Sequence, residues 1–171
     1  ITKAMSDGLY LFDYGENKTG YFTYTEDFTS EQLRGEEELF SPSLLQPRID
    51  KKYELRIFYL EGICYASAIF SQSDEQTKTD FRKYNEERPN RNVPFQLPET
   101  IEQKIRLLFE RLKLNTGSVD IIVDVHNEYY FLEINPVGQF GMVSETCNYY
   151  IEQKIATYLM QHGRKIENLL H

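Results

Sequence analysis

The sequence has little of several features that mark whole classes of protein. Its 171 residues contain two cysteines, Cys64 and Cys147, which are too few for a disulfide scaffold and too far apart for a cysteine metal site. No apolar run approaches the roughly 20 residues of a membrane-spanning helix, and no signal peptide is visible. These absences predict a cytoplasmic protein that does not enter the membrane and whose thiols stay reduced.

Basic residues are also scarce relative to acidic ones. The chain has 19 Lys and Arg against 27 Asp and Glu, for a formal net charge of -8. Nonspecific binding of nucleic acid requires a basic surface, so this balance argues against a nucleic-acid partner.

A Walker A phosphate-binding loop is also absent from the sequence. The spacing of Gly15 and Gly20 matches the start of such a loop, but Tyr21 and Phe22 follow where Lys and Ser or Thr are required.

What the sequence does contain is enough apolar material for one folded domain. Apolar residues make up 40% of the chain, and neither an internal repeat nor a long linker divides it. We therefore predict a single domain over residues 1–171. The chain begins at Ile1 inside a predicted strand, so we expect that an upstream part is missing.

Alternating apolar residues and turn signals predict a series of strands. They cover residues 9–13, 20–25, 43–49, 53–60 and 63–72, with Glu61 and Gly62 as a tight turn between the last two. Residues 29–39 predict a short acidic helix or a loop, and residues 73–92 a functional or a flexible loop.

Helical spacing predicts two helices later in the chain. The first runs from Pro98 to Leu114, and its predicted inward residues are Ile101, Ile105, Leu108 and Leu112. The second runs from Ser144 to Leu169, with Ser144 and Glu145 at its beginning and Gly163 as the candidate point of interruption.

The stretch from Val119 to Gly141, VDIIVDVHNEYYFLEINPVGQFG, is the most informative part of the sequence. Two apolar runs flank a polar break at His126 and Asn127, which predicts a hairpin with a two-residue loop. Val125 then pairs with Glu128, and counting outward places Asp120 opposite Glu133. Because side chains alternate faces along a strand, Asn135 should share that face.

Three oxygen-bearing side chains on one face favour a site for a hard cation. Mg²⁺ prefers oxygen ligands and is usually held by one or two carboxylates together with substrate phosphates. Zinc would require His or Cys, and His126 lies at the turn, away from the cluster. The alternative is a solvated acidic face, but the Pro136 to Gly141 turn that follows the strand is irregular backbone of the kind that carries function.

Several blocks of the sequence together resemble one family. They are FLEINPVGQFG (131–141), PSLLQPRIDKKYELRIFYL (42–60), SQSDEQTKTDFRKY (71–84), PNRNVPFQLP (89–98) and CNYY (147–150). They resemble ATP-grasp enzymes, in the branch of the grasp-with-spasm peptide maturases and the microviridin-type macrocyclases. The resemblance implies an α+β ATP-grasp fold, with antiparallel sheets and flanking helices. A lid-like subdomain would occupy about residues 1–45 and a C-terminal subdomain residues 46–171.

The resemblance also implies roles for individual residues. Those expected to bind the nucleotide are Lys3, through the phosphates, and Gln46, Arg48 and Ile49, whose backbone would contact the adenine ring. Those expected to bind Mg²⁺ are Asp120, Glu133 and Asn135. Arg56 is expected near the transferred phosphate. Asp80 and Arg82 are expected near the acidic side chain of the peptide substrate or its acyl phosphate, and Glu54 is a further candidate substrate contact.

The activity implied by the resemblance is that of a ligase using ATP and Mg²⁺. It would activate Asp or Glu side chains of a ribosomally made precursor peptide, comprising a leader and a core, and close amide or ester crosslinks. A homodimer and a radical-SAM/SPASM protein are implied partners. The open alternatives are an amino-acid or glutamate-adding ligase, a noncatalytic peptide-binding fragment, and a metal-dependent phosphohydrolase or nuclease.

Overall fold

The structure is a computed structural model that describes residues 1–3, 9–14, 17–29, 31, 44–83 and 85–167. It divides into two compact units. The first comprises Ile1–Asp50 and Ser71–Asn90, and the second comprises Lys51–Phe70 and Arg91–His171. Most of the predicted acidic segment at 29–39 lies outside the described residues. No helix among the described ranges is long and apolar enough to cross a membrane.

The strands of the first unit are short. They are Thr2–Lys3 (β1), Leu9–Tyr14 (β2), Asn17–Phe22 (β3) and Leu44–Leu45 (β4). β2 and β3 form an antiparallel hairpin, and β1 pairs with β4. The predicted hairpin is therefore present, although its second strand begins and ends earlier than expected. The predicted strand at 43–49 is reduced to two paired residues among those described, because Pro47 lacks the N–H that a longer ladder requires.

The second unit contains the main sheet. Its elements are Lys51–Leu60 (β5), Ile63–Phe70 (β6), Arg91–Phe95 (β7), Glu99–Leu112 (α1), Thr116–Asp124 (β8), Tyr129–Asn135 (β9), Gly141–Cys147 (α2) and Ile151–Glu167 (α3). The five strands are all antiparallel in the order β7-β6-β5-β8-β9. The Glu61-Gly62 turn is confirmed, with positive φ at both residues, as a two-residue turn of this kind requires.

The two faces of this sheet differ in character. One face, which includes Leu55, Ile57 and Val119, packs against α1 and forms the larger core. The anchor of α1 is Phe109, which is fully buried and stacks on Tyr59 with ring centroids 3.9 Å apart. The other face has a smaller core at one end, where Phe58 and Leu60 pack with Val143 and Ile151.

Two details of the helices correct the sequence predictions. Leu112 was expected to point inward but is 49% exposed, since the helix ends there and Lys113 turns into the left-handed region. The predicted second helix is wrong as one piece, because it breaks at Asn148 and Tyr150, which have φ of 53° and 52°. Gly163 does not interrupt α3, which continues to Glu167.

Ser144 joins the two C-terminal helices, whereas the sequence placed it at the beginning of one. It lies within α2, where its hydroxyl accepts a hydrogen bond from the Ile151 N–H at 2.9 Å and donates to the Glu152 carboxylate at 2.5 Å. The first N–H groups of a helix have no partner within the helix. Ser144 therefore caps α3 from outside it, and the hydrogen bond that it donates to the Glu152 carboxylate lowers the pKa of Glu152.

Candidate functional site

A transverse row of charged residues crosses the face of the sheet opposite α1. Arg56 on β5 is the register partner of Asp120 on β8, and Asp120 is in turn the partner of Glu133 on β9. Residues directly opposite each other on neighbouring strands point to the same face. The predicted pairing of Asp120 with Glu133 is therefore confirmed, and the structure adds Arg56 to the same row.

Arg56 and Asp120 form an ion pair in a sheltered position. The Arg56 guanidinium donates through Nη1 to Asp120 Oδ2, and the two side chains are only 10% and 17% exposed. Glu133, on the edge strand β9, is exposed. The row therefore runs from a buried cation at the centre of the sheet to an accessible carboxylate at its edge.

The β8–β9 hairpin has the predicted pairing of Asp120 with Glu133, but its loop differs from the predicted one. The two-residue loop is wrong: the Asp124 N–H donates to the Glu128 carbonyl at 3.1 Å, so three residues form the loop. Asp124 Oδ1 accepts the N–H groups of His126 and Glu128, both at 2.8 Å. Asn127 has a φ of 64°, which places it in the left-handed region common at this position of three-residue hairpins.

A β-bulge restores the predicted pairing further along the hairpin. Ile121 pairs with Phe131, whereas Asp120 pairs with Glu133, so Leu132 is an extra residue on β9. A bulge shifts the register by one residue. This shift offsets the one-residue error at the loop, and for that reason simple counting gave the right partner for Asp120.

Asn135 lies on the same face and also begins the turn that follows β9. It is the register partner of Ser118, and its Oδ1 accepts the Val137 N–H at 3.0 Å. Asn side chains often form such turns with the backbone two residues on. This hydrogen bond fixes the direction of the amide, and its oxygen retains a second lone pair for a cation.

Glycine packing holds this turn against the sheet. The Asn135 carbonyl accepts the Gly138 N–H at 3.1 Å, and Gly138 has a φ of +62°. A Cβ atom at Gly138 would lie 2.9 Å from the Phe58 ring and 3.1 Å from the Gly117 Cα atom. Such distances are too short for a side chain, so glycine is required here for both its conformation and its size.

A second buried ion pair lies on the same face of β5. The Lys51 ammonium donates to Glu54 Oε1, and the two side chains are 6% and 10% exposed. Glu54 precedes Arg56 by two residues, so both point to the same face of the strand. The sequence pattern indicates Glu54 as a candidate substrate contact but does not indicate Lys51. In a regular strand, residues three apart face opposite ways, and only the irregularity between Lys51 and Tyr53 brings this pair together.

Asp80 and Arg82 form a compact arrangement within the first unit. Asp80 is 5% exposed, and its carboxylate accepts Arg82 Nε at 2.9 Å, Arg82 Nη2 at 2.6 Å and the Thr25 N–H at 2.8 Å. Burial alone would raise the pKa of Asp80, but these hydrogen bonds outweigh it and hold that pKa below its usual value. The Arg82 side chain remains 55% exposed.

The predicted 73–92 loop is ordered by its own polar side chains. Fully buried Thr77 donates to the Ser71 carbonyl at 2.9 Å and to Asn90 Oδ1 at 3.0 Å. Asp74 Oδ2 accepts Asn85 Nδ2 at 2.7 Å. The last residues of the predicted loop begin β7, a strand that the sequence does not predict because Pro94 interrupts its pattern.

The residues predicted to bind the nucleotide also lie in the first unit. The Gln46 N–H and carbonyl both bond to the backbone of Ile1, at 3.0 and 2.9 Å. Arg48 pairs with Asp27 at 3.1 Å and is about half exposed. Lys3 lies on β1 and is half-buried, as is Ile49. The proposed nucleotide role of these four residues stays a prediction.

The predicted metal ligands provide the oxygen chemistry that Mg²⁺ prefers. Asp120 and Glu133 offer carboxylates and Asn135 an amide oxygen on one face, and a hard cation accepts this set. Among the described residues, no group of three or more His, Cys, Asp or Glu side chains is placed to hold a metal. Mg²⁺ usually completes its coordination with waters and substrate phosphates, so one or two carboxylates are enough protein ligands for it.

The thiols take no part in this arrangement. Cys64 is half-buried, and desolvation raises its pKa to about 12. A thiol with so high a pKa is almost entirely protonated near neutral pH, and the protonated form is a poor nucleophile. Cys147 is buried at the end of α2.

Comparison with known structures places this fold within a family. The chain resembles a RiPP-associated ATP-grasp ligase (RiPP, ribosomally made and modified peptide) of Chryseobacterium gregarium. The match has 32% identity and a TM-score of 0.65 and covers 81% of this chain and 41% of that one. That ligase was solved with ADP and with a leader and core peptide.

Two macrocyclases of Microcystis aeruginosa MRC are also similar. MdnC, solved with its precursor peptide MdnA, is 36% identical with a TM-score of 0.54 over 66% of this chain and 34% of its own. MdnB is 29% identical with a TM-score of 0.53 over 67% of this chain and 40% of its own. No protein-family model and no curated protein matches the sequence.

The fold, with its five-stranded antiparallel sheet and flanking helices, is thus that of an ATP-grasp protein. The chain belongs to the ATP-grasp ligases, in the branch of the peptide macrocyclases. It spans about two fifths or less of the length of the three ligases named above.

Proposed function

We propose that the chain forms part of an ATP- and Mg²⁺-dependent carboxylate ligase that crosslinks a ribosomally made precursor peptide. The observation that supports this most strongly is the row of Arg56, Asp120 and Glu133, with Asn135 on the same face. Such a row offers a fixed cation for a phosphoryl group beside oxygen ligands for a divalent metal. The similar ligases were solved with ADP or with precursor peptides, which agrees with this use.

In the proposed reaction, a carboxylate oxygen of the peptide attacks the γ-phosphorus of ATP. The bond from that phosphorus to the bridging oxygen breaks, so ADP leaves and an acyl phosphate remains on the peptide. A Lys amine or a Ser or Thr hydroxyl of the same peptide then attacks the acyl carbon. The carbon–oxygen bond to phosphate breaks, the nucleophile loses a proton, and an amide or ester closes the ring.

The protein's part in this reaction is positioning and charge neutralisation. Asp120, Glu133 and Asn135 would hold Mg²⁺, which would neutralise phosphate charge when bound. Arg56, fixed by its ion pair, would contact the transferred phosphoryl group, and Lys3 would contact the nucleotide phosphates. Arg82, oriented by Asp80, would bind the acidic substrate side chain, since its guanidinium remains accessible.

The remaining assignments in the proposal concern partners and location. The peptide partner would include both a leader and a core, as in the Chryseobacterium ligase structure. Assembly as a homodimer, the association with a radical-SAM/SPASM protein and the cytoplasmic location belong to the proposal through the family resemblance. The backbone of Gln46, Arg48 and Ile49 would contact adenine.

The decisive experiment replaces Glu133 by Gln in the full-length protein. We expect Glu133→Gln to abolish ADP formation in the presence of precursor peptide, because the charge that holds the cation is lost while the side chain keeps its shape. Glu128→Gln is the matched control, since Glu128 is an exposed carboxylate on the same hairpin but lies next to its loop, away from the row of Arg56, Asp120 and Glu133. Unchanged ADP formation in Glu133→Gln, with an unchanged thermal unfolding temperature, would refute the metal assignment.

A further inference from the structure

Lys51 and Glu54 form a buried ion pair on the sheet face that carries Arg56 and Asp120. The reaction proposed above gives this pair no role. Both residues are 8% exposed, and they are joined by an ion pair. Burying a lysine and a glutamate costs free energy even when they pair, and replacing such a pair by apolar residues is often neutral or stabilising. Stability alone therefore gives a weak reason for the pair to be here.

The position of the pair relates it to the proposed site. Glu54 lies two residues before Arg56 on the same strand face, and it occupies the cross-strand row next to that of Arg56 and Asp120. Lys51 reaches Glu54 because the strand is irregular between Lys51 and Tyr53. Bulges of this kind re-aim side chains and are common next to active sites.

The chemistry of Glu54 limits what it can bind. A carboxylate repels phosphate and carboxylate groups, so it does not suit the nucleotide or the activated acid. It suits an ammonium or hydroxyl group, which donates hydrogen bonds to it. In the proposed reaction, that description fits the attacking amine or hydroxyl of the peptide.

We propose that Glu54 binds the attacking nucleophile of the peptide and that Lys51 is a positioning residue that acts through Glu54. This inference rests on the proposed ligase function and names the part of the substrate that this face receives. The Lys51 ammonium pairs with the carboxylate and holds it in one orientation on the face that carries Arg56. Without Lys51, the buried carboxylate would lose the cation that compensates its charge and fixes its direction.

The test measures coupling in the full-length protein with ATP and precursor peptide. Each turnover should yield one ADP for each crosslink. In Lys51→Met and Glu54→Gln we expect the ratio of ADP to crosslink to rise about tenfold, because the acyl phosphate forms but is lost to water before the nucleophile attacks. The KM for ATP should stay within about twofold of wild type, because neither residue contacts the nucleotide in this proposal.

Two variants separate positioning from structural damage. Lys52→Met removes the neighbouring lysine, whose exposed ammonium bonds to Asn127, and it should leave the ratio unchanged. Lys51→Arg retains a cation and should restore coupling in large part. Lys51→Met that couples like wild type would overturn the inference, whereas a wild-type protein without precursor-dependent ADP formation would overturn the proposed function itself.

If Lys51→Met alone does not fold, the positioning role of Lys51 can still be tested by comparing a double variant with Glu54→Gln. If Lys51 acts through Glu54, the Lys51→Met/Glu54→Gln double variant should show the same ADP-to-crosslink ratio as Glu54→Gln alone. A further rise of about tenfold in the double variant would show that Lys51 acts independently and would overturn the positioning role.

Discussion

Arg56 and Asp120 face each other across β5 and β8 and form an ion pair that is largely shielded from water. In the protein alone, the cation proposed for the phosphoryl group and a carboxylate proposed for the metal thus neutralise one another. Because the two charges compensate each other, the Arg56 guanidinium and the Asp120 carboxylate can both be largely buried before substrates bind. Removing either partner would leave an uncompensated charge in the sheet.

We expect Arg56→Met to destabilise the protein by roughly 3 kcal/mol, the scale for breaking a buried ion pair from one side. The Arg56→Met/Asp120→Leu double variant should recover most of that loss, because neither charge then remains. Urea unfolding of the wild type, both single variants and the double variant measures the coupling. Additive losses would contradict the ion pair as the cause.

Gly138 provides a prediction about the turn that carries Asn135. We expect Gly138→Ala to destabilise the protein by roughly 2 kcal/mol, since the new methyl group would meet the Phe58 ring and the backbone has a positive φ. Gly141→Ala is the matched control, because a Cβ there meets nothing within 4 Å. Thermal unfolding of both variants makes the comparison, and equal behaviour would argue against close packing of the turn.

Ser144 provides a prediction about the two C-terminal helices. We expect Ser144→Ala to cost about 1 kcal/mol, the usual effect of losing an N-cap, because the Ile151 N–H loses its acceptor. Thr146→Ala removes a nearby hydroxyl that bonds within α2, and it should change stability less. Chemical denaturation gives both values. A smaller loss in Ser144→Ala than in Thr146→Ala would contradict the capping role.

The lowered pKa of Asp80 predicts how the stability of the protein depends on pH. Its folded-state pKa lies below the unfolded value of about 3.8, so the charged form is favoured by folding. The stabilisation is fully present above that unfolded value and is lost as the pH falls through the folded pKa. Wild-type protein should therefore lose more stability than Asp80→Asn between about pH 5 and pH 2.

The measurement for Asp80 is urea unfolding at a series of pH values. Asp80→Asn should be less stable than wild type by roughly 2 kcal/mol at pH 7, because an amide makes weaker hydrogen bonds to Arg82 than a carboxylate does. Asp50→Asn, an exposed position in the same unit, serves as the control. A constant difference between wild type and Asp80→Asn at every pH would contradict the assignment.

The sequence predicted the elements with strong periodic patterns and the residues that those elements carry. Alternation gave β5, β6, β8 and β9, and helical spacing gave α1. The shared face of Glu133 and Asn135 followed from the same alternation, because the direction of a side chain on a strand is a local property. The order of the sequence blocks indicated the ATP-grasp family, which the structural comparisons show.

Only the tertiary structure decided which charges meet. The partnership of Arg56 with Asp120 depends on strand order, because 64 residues separate them along the chain. Lys51 pairs with Glu54 because β5 is irregular between Lys51 and Tyr53. The extra residue Leu132 on β9 corrects the one-residue error in the predicted loop. Alternating patterns do not reveal irregularities of one residue. The break at Asn148 and Tyr150 and the cap by Ser144 depend on packing between helices. Periodicity in the sequence therefore fixes local direction, whereas packing between distant segments determines register and charge partners.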